Sequence, residues 1–340
     1  VPSARVKADR DVKMLSDQLS MFKLKYGASL DRIKSLEREL GVVTDIGRNT
    51  ICPVDIKPVQ ASGTAEGTVV LVASDWHVEE RVEPSKVSFL NRFDPDIAEK
   101  RASNFFGSGL RLTKLLQQDI KVKTIVLALL GDFISNELHD AESAEANALQ
   151  PMHAVEFASN LIAGGINHLL DGTDFNLEIV AHSGNHARTT KRTRFGAENG
   201  HSLEYLMYLG LRKEFKGEKR VNFTIADGYH SYVNVYDQTL RFHHGHAINY
   251  GGGIGGIFIP AFKAISQWDK ARRADLDIFG HFHQMKDGGK FICNGSLIGY
   301  NAFALSIKAD YERPQQTLFL VDKNRGRTCT WPILLEKTKA

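Results

Sequence analysis

The chain has 340 residues, 42% hydrophobic and 24% charged, with a formal net charge of +3 at pH 7; that is apolar content enough for a real core in one large domain or two ordinary ones. Its mild basic balance permits a polyanionic partner without requiring one. Three widely spaced cysteines (Cys52, Cys293, Cys329) with no CxxC pair exclude a disulfide scaffold and a thiolate zinc site, and no apolar run approaches the roughly 20 residues of a membrane span.

The chain opens at Val1 rather than Met, which points to a fragment or processed form with something upstream missing, and no secretory pattern follows. With reduced thiols expected, the setting reads as cytoplasmic, away from any membrane. Over residues 1–44, Leu15, Leu19, Phe22, Tyr26, Ile33, Leu36 and Leu40 keep three- and four-residue spacing with one polar miss at Ser29. This predicts an amphipathic helical extension, bent or hairpinned near Gly27-Ala28-Ser29 and closed at Gly41. It either packs on the main domain or joins copies of the chain as a short coiled coil, making a homo-oligomer.

Residues 45–68, with Pro53, Pro58, Gly63 and Gly67, read as a linker. The remainder, 69–340, alternates buried strands with helices: strands at 69–73, 125–130 and 177–180, and helices at 97–118, 155–170 and 203–215. Short strands follow at 221–225, 231–236, 239–242, 276–279, 290–293 and 317–321. Beta–alpha alternation giving way to short antiparallel strands predicts two sheets packed face to face with helices outside.

Five polar signatures each follow such a strand: Asp75-Trp76-His77, Gly131-Asp132, Gly184-Asn185-His186, His244-Gly245-His246 and Gly280-His281-Phe282-His283. One alone is commonly a turn or a surface histidine. Five in order offer Asp75, His77, Asp132, Asn185, His244, His281 and His283 as oxygen and nitrogen donors without a thiolate, a set for first-row dications rather than calcium. Two cations served by two carboxylates require one to bridge, for which Asp132 is the choice. A water shared between ions so placed loses its proton near neutral pH, and the pair forms a clamp for in-line attack on phosphorus.

In this order the signatures resemble those of the calcineurin-like metallophosphoesterases, over about residues 69–333. The resemblance implies a four-layer α/β/β/α sandwich of two mixed sheets carrying the catalytic domain. It implies a first metal on Asp75, His77 and His283, a second on Asn185, His244 and His281, Asp132 between them, and His186 as the acid that protonates the leaving alkoxide. Manganese is the expected ion, with iron, zinc, magnesium or nickel as alternatives.

Other residues keep two readings each. His246 hydrogen-bonds a phosphoryl oxygen or only braces its neighbours. Arg188, opening the run Arg188, Lys191, Arg192, Arg194, contacts substrate phosphate or belongs to a solvated face. Asn136 is placed as an orienting residue, His182 and His243 as structural, and Trp76 as a packing residue with base stacking as the lesser reading. Gly251–Gly256 is a lid over the metals or a loop without a role, and Asn294-Gly295-Ser296 a tight turn beside the site.

The expected activity is a dinuclear-metal phosphodiesterase cutting DNA, close to the repair-nuclease and phage-encoded branch of that family. A phosphomonoesterase or nucleotide phosphodiesterase is the alternative. A decayed scaffold is disfavoured because no ligand position is missing.

Overall fold

The structure is a computed structural model that describes isolated positions between 13 and 34 and residues 54–57, 65–138 and 147–336. It divides into two units, Val1–Cys52 and Pro53–Ala340. In the first unit every described position is helical, Gly27 and Ser29 included, while Ala28 lies outside the described residues. Leu15, Leu19, Phe22, Tyr26 and Ile33 are exposed. Leu36, Leu40, Gly41 and most of the expected linker lie outside the described residues.

The second unit is built on strands β1 (Val54–Ile56), β2 (Glu66–Ala73), β3 (Lys121–Leu129), β4 (Asn176–Ala181), β5 (Val221–Ile225) and β6 (Ser231–Val235). They continue as β7 (Gln238–Phe242), β8 (Leu276–Phe279), β9 (Lys286–Asp287), β10 (Phe291–Cys293), β11 (Gln315–Asp322) and β12 (Gly326–Leu334). Helices α1 (Pro95–Leu116), α2 (Pro151–Leu170), α3 (Leu203–Glu214), α4 (Phe258–Trp268) and α5 (Ala302–Ser306) join them. One sheet has the order β12-β11-β2-β3-β4-β5, the other β1-β6-β7-β8-β10-β9, and both mix parallel with antiparallel pairs.

Side chains alternate across each strand, so one strand serves two cores. Val69, Leu71 and Ala73 of β2, with Ile125, Leu127 and Leu129 of β3, face a core shared with α1, α2 and α3. Val70, Val72, Val126, Ala128 and Val180 face Val233, Leu240, Phe242 and Ile278 of the other sheet. On that sheet's outer side, Ala261 and Ile265 of α4 cover Phe279, Phe291 and Cys293. The layers are therefore helix, sheet, sheet, helix, the four-layer α/β/β/α sandwich. Burial on both faces is why β2 and β3 read as unbroken apolar runs.

Five elements escape the sequence reading, the short β9 and α5 among them. β1 lies inside the segment read as linker and pairs in parallel with β6. β12 takes Pro332 because it is an edge strand, where a missing N–H is tolerated. α4 follows directly on the glycine run, whose turns hide its start.

The ends of β2, β3 and β4, which run parallel, point the same way, and so do those of β7 and β8. The carboxyl ends of parallel strands are where an α/β sheet leaves room for a ligand. Trp76, just past β2, packs edge-on against Phe105, Phe106 and Phe133, with its Nε1–H donating to Gln316 Oε1 at 3.2 Å. It is 0% exposed, which removes base stacking. Trp76→Ala is expected to cost about 3–5 kcal/mol through the cavity it leaves, read as a lowered midpoint in urea denaturation.

Candidate metal centre

Five strand ends deliver the seven expected donors to one place. Ligand atoms of Asp75, His77 and His283 lie within 4.8 Å of one another, as do those of Asp132, His244 and His281. In the first group His77 Nε2 and His283 Nε2 are 3.2 Å apart, and His283 Nε2 is 3.6 Å from Asp75 Oδ1. In the second, His244 Nε2 stands 2.9 Å from Asp132 Oδ2 and 3.2 Å from Asn185 Oδ1, which brings Asn185 in. The groups abut: the His281 backbone N–H donates to both Asp75 oxygens, at 3.0 and 2.9 Å.

Such convergence needs unusual backbone. Asp75, His77, Asp132, His281 and His283 all have φ between 49° and 72°. That left-handed conformation costs a residue other than glycine about 1–3 kcal/mol and turns side chains from one sheet face toward the strand ends. The loops also touch backbone to backbone. A Cβ on Gly184 would lie 2.0 Å from Asp132 Oδ1, and one on Gly280 would lie 2.3 Å from Asp75 Oδ2. These glycines are required by close approach.

The imidazoles are held in fixed tautomers by their outward nitrogens. His244 Nδ1–H donates to the Leu130 carbonyl at 2.6 Å. Ser135 Oγ donates to Glu80 Oε1 at 2.6 Å and so accepts from His77 Nδ1–H at 2.8 Å. Both rings are left with Nε2 toward the centre, the arrangement ligating histidines use. Asp75 Oδ2 accepts from Ser74 Oγ at 2.5 Å, and Ser74 Oγ in turn accepts from Asn294 Nδ2 at 2.9 Å.

Two more carboxylates hold loops. Glu79 Oε1 accepts the N–H groups of Ser135 and Asn136 at 2.7 and 2.9 Å. Glu204 Oε1 accepts the Phe133 N–H at 2.6 Å while its Oε2 accepts the Gly184 N–H at 2.7 Å.

Burial sets the charge states. It pulls the His77 and His283 rings down to about 3, so both are neutral and available as donors. Burial, with Asp132 adding to it, raises the Asp75 carboxyl to about 7. Burial and the Asp132 charge likewise raise Glu204 to about 7. Burial would also raise Asp132, but the His244 and His186 charges hold it well below the usual carboxylate range. His244 is raised to about 10 against its burial, chiefly by Asp132. The proton between Asp132 and His244 thus sits where a dication would serve the same pair.

The remaining expected residues fall as follows. His186 belongs to neither group; its backbone N–H donates to Asp132 Oδ1 at 2.9 Å, and its Nε2 is 3.9 Å from Asp132 Oδ2. Its side chain is 22% exposed, whereas Asp132 beside it is buried. Asn136 Nδ2 donates to the carbonyls of His186 and Arg188 and so holds that loop. Arg188 donates to the Asn185 carbonyl, while Lys191, Arg192 and Arg194 are exposed.

His246 Nε2 is 2.9 Å from Glu198 Oε1, and its ring stacks under Phe195. His243 is buried against Phe279, and His182 bonds Ser231 Oγ at 2.6 Å. Gly251–Gly256 forms turns leading into α4. Glu79, Glu80, Ser135 and Glu204 were not picked out by sequence reasoning: an acidic residue on a helix or loop has no local mark of the donor it faces.

No family model and no curated protein matches the sequence. Among solved structures, the hypothetical protein PH1004 of Pyrococcus horikoshii OT3 aligns over 79% of this chain and 89% of its own, at 11% identity and a TM-score of 0.35. Vps29 of Chaetomium thermophilum aligns over 74% of this chain and 83% of its own, at 13% identity and 0.27. The same Vps29 complexed with the RaPID-derived cyclic peptide RT-D3 aligns over 78% and 95%, at 8% and 0.29. These likenesses are too loose to bear on function, which rests on the site.

Gly184→Ala drives a methyl group into Asp132. It is expected to lower the bound-metal content measured by plasma mass spectrometry while far-ultraviolet circular dichroism still shows the folded sandwich.

Proposed function

We propose that this protein is a metal-dependent phosphoesterase with two divalent cations, manganese first among the candidates, acting as a phosphodiesterase on DNA. The observation that carries this reading is the meeting of seven oxygen and nitrogen donors, from five separate strand ends, in two abutting groups. The donors fit the ions: no thiolate, imidazoles with Nε2 inward, and carboxylates already held by N–H and O–H donors. Asp75, His77 and His283 would hold one cation, Asn185, His244 and His281 the other, and Asp132 both. When bound, such a pair supplies Lewis-acid stabilisation of phosphoryl oxygens and acidifies a coordinated water.

The chain's own residues do the rest. His186 Nδ1–H donates to the Ser135 carbonyl at 3.2 Å, which leaves Nε2 as the atom that carries the transferable proton. We assign it to protonate the leaving oxygen. His246, with Nε2 engaged by Glu198, braces the loop at 188–202 rather than contacting phosphate.

Support for a polymeric anion comes from that loop. The bridge between Arg188 and Ser202, and Thr189 N–H donating to the His201 carbonyl at 2.8 Å, pin its base at the metal groups. Its tip presents Lys191, Arg192 and Arg194 to solvent. Phosphates flanking the scissile one would meet those side chains.

Three outcomes test this. His186→Ala is expected to keep its metal content and to lose about 10²–10⁴-fold in turnover on a poor alkoxide leaving group, with much less loss on p-nitrophenolate. Loss of metal in that variant would remove the assignment. Across a phosphomonoester, a bis-ester, single-stranded and duplex DNA with added manganese, DNA is expected to be cut best. Neutralising Arg192 is expected to shrink the slope of log binding against log salt by about one. Preferential turnover of the monoester would overturn the DNA reading in favour of a phosphomonoesterase.

A further inference from the structure

Asp132 and Asn185 come from neighbouring strands whose ladder ends at Leu129 and Ala181. Beyond a last backbone bond, His182 N–H to the Leu129 carbonyl at 2.8 Å, side chains hold the spacing of the two loops. Asp132 Oδ1 takes the His186 N–H, and Asn136 Nδ2 donates to the carbonyls of His186 and Arg188. At Gly131 and Gly184 the backbones themselves meet, since a Cβ on Gly131 would fall 2.2 Å from Gly184 N. One further carboxylate takes a backbone N–H from each loop. Glu204 is 0% exposed, and each oxygen takes one N–H, that of Phe133 next to Asp132 and that of Gly184 next to Asn185.

Its support is equally fixed. Glu204 sits in the first turn of α3, where Ser202 caps the helix by accepting the Tyr205 N–H. Leu203 N–H donates to the Ala187 carbonyl at 2.8 Å, and Tyr208 Oη donates to the His182 carbonyl at 2.9 Å. α3 is thus stitched to the loop that carries Asn185 and His186, and Glu204 extends the stitching across to the Asp132 loop. A space-filling role would be met by Leu or Met without burying an acid near Asp132. A carboxylate is the side chain whose two acceptors can take two convergent N–H donors, through charge-assisted bonds.

We propose that Glu204 is a positioning residue that fixes the Asp132–Asn185 spacing and thereby makes the site take a pair of cations rather than one. This rests on the dinuclear reading above. The second cation depends on it most, because Asn185 lies on the loop whose Gly184 N–H Glu204 holds. The first depends on it only through Asp132.

The test uses the full chain titrated with Mn²⁺, followed by plasma mass spectrometry for stoichiometry and by electron paramagnetic resonance for the exchange-coupled pair. Glu204→Gln keeps the shape but turns one acceptor into a donor facing an N–H. It is expected to weaken the second Mn²⁺ by about 10–100-fold and to show an uncoupled single-ion spectrum where the unmodified protein shows a coupled pair. Glu204→Asp, with both oxygens on a shorter stem, recovers part of that affinity.

Leu211→Ala, on the same helix and equally buried but in the apolar core, lowers the melting temperature and keeps the coupled spectrum. A folded Glu204→Gln with unchanged second-ion affinity would overturn the proposal. Failure of both Glu204 variants to fold would overturn it too, assigning the residue to the core alone. An unmodified protein that takes fewer than two Mn²⁺ would instead sink the dinuclear reading, a result separable from either.

Discussion

Two carboxylates, Asp75 and Asp132, are buried side by side where the ends of both sheets meet, and the rest of the site answers that one electrostatic problem. Burying a charge is unfavourable unless it is paired and hydrogen-bonded, and two like charges compound the cost. Both carboxylates are compensated by nearby donors. Asp75 takes the His281 N–H and the Ser74 hydroxyl; Asp132 takes the His186 N–H and the His244 ring. The residual penalty remains in Asp75, whose carboxyl rises to about 7. Dications relieve such a penalty more fully than any protein donor, which is why this arrangement reads as a binding site rather than as a structural ion-pair cluster.

Packing follows from the same requirement. Loops that aim seven side chains at one point must approach more closely than side chains allow, so Gly184 and Gly280 lie against the carboxylates themselves. The ligand residues then adopt left-handed backbone that the sheets alone would not favour. The strain is stored locally and borne by a rigid frame. Two buried apolar cores flank the β2–β4 sheet, and buried Arg101 ties the carbonyls of Leu297 and Ile298 to α1, just where Leu297 N–H meets the Asp75 carbonyl.

How much of this the sequence reveals depends on where each residue sits relative to a strand. Asp75, Asp132, Asn185, His244 and His281 each follow an apolar run by a few residues, so the strand pattern and the polar signature reinforce each other. The sandwich and the donor set are both legible that way. Glu204 and Glu80 carry no comparable mark. Each lies on a helix or loop, and its partners, Phe133 and Gly184 or Ser135, are 20 to 71 residues away. Trp76 sits inside a signature yet serves the core, because its neighbours Asp75 and His77 turn toward the centre while it turns to Phe133. β1 and β12 were obscured by Pro53 and Pro332, residues that commonly mark a linker or a strand's end but are compatible with edge positions.

The loop from Arg188 to Ser202 is pinned at its base beside the centre. Arg188 is spent on the Asn185 carbonyl, so the first cation of the basic run stabilises the protein's own ligand loop. The exposed cations of the run are then Lys191, Arg192 and Arg194. On the proposed reading, a phosphomonoester would place its one phosphate at the centre and gain little from charges at the loop tip. A polynucleotide would bring flanking phosphates to those charges and bases to the exposed Phe195 ring stacked on His246. The proposed preference for the longer substrate thus rests on contacts remote from the reacting bond, where binding energy sets selection among esters that share the same chemistry.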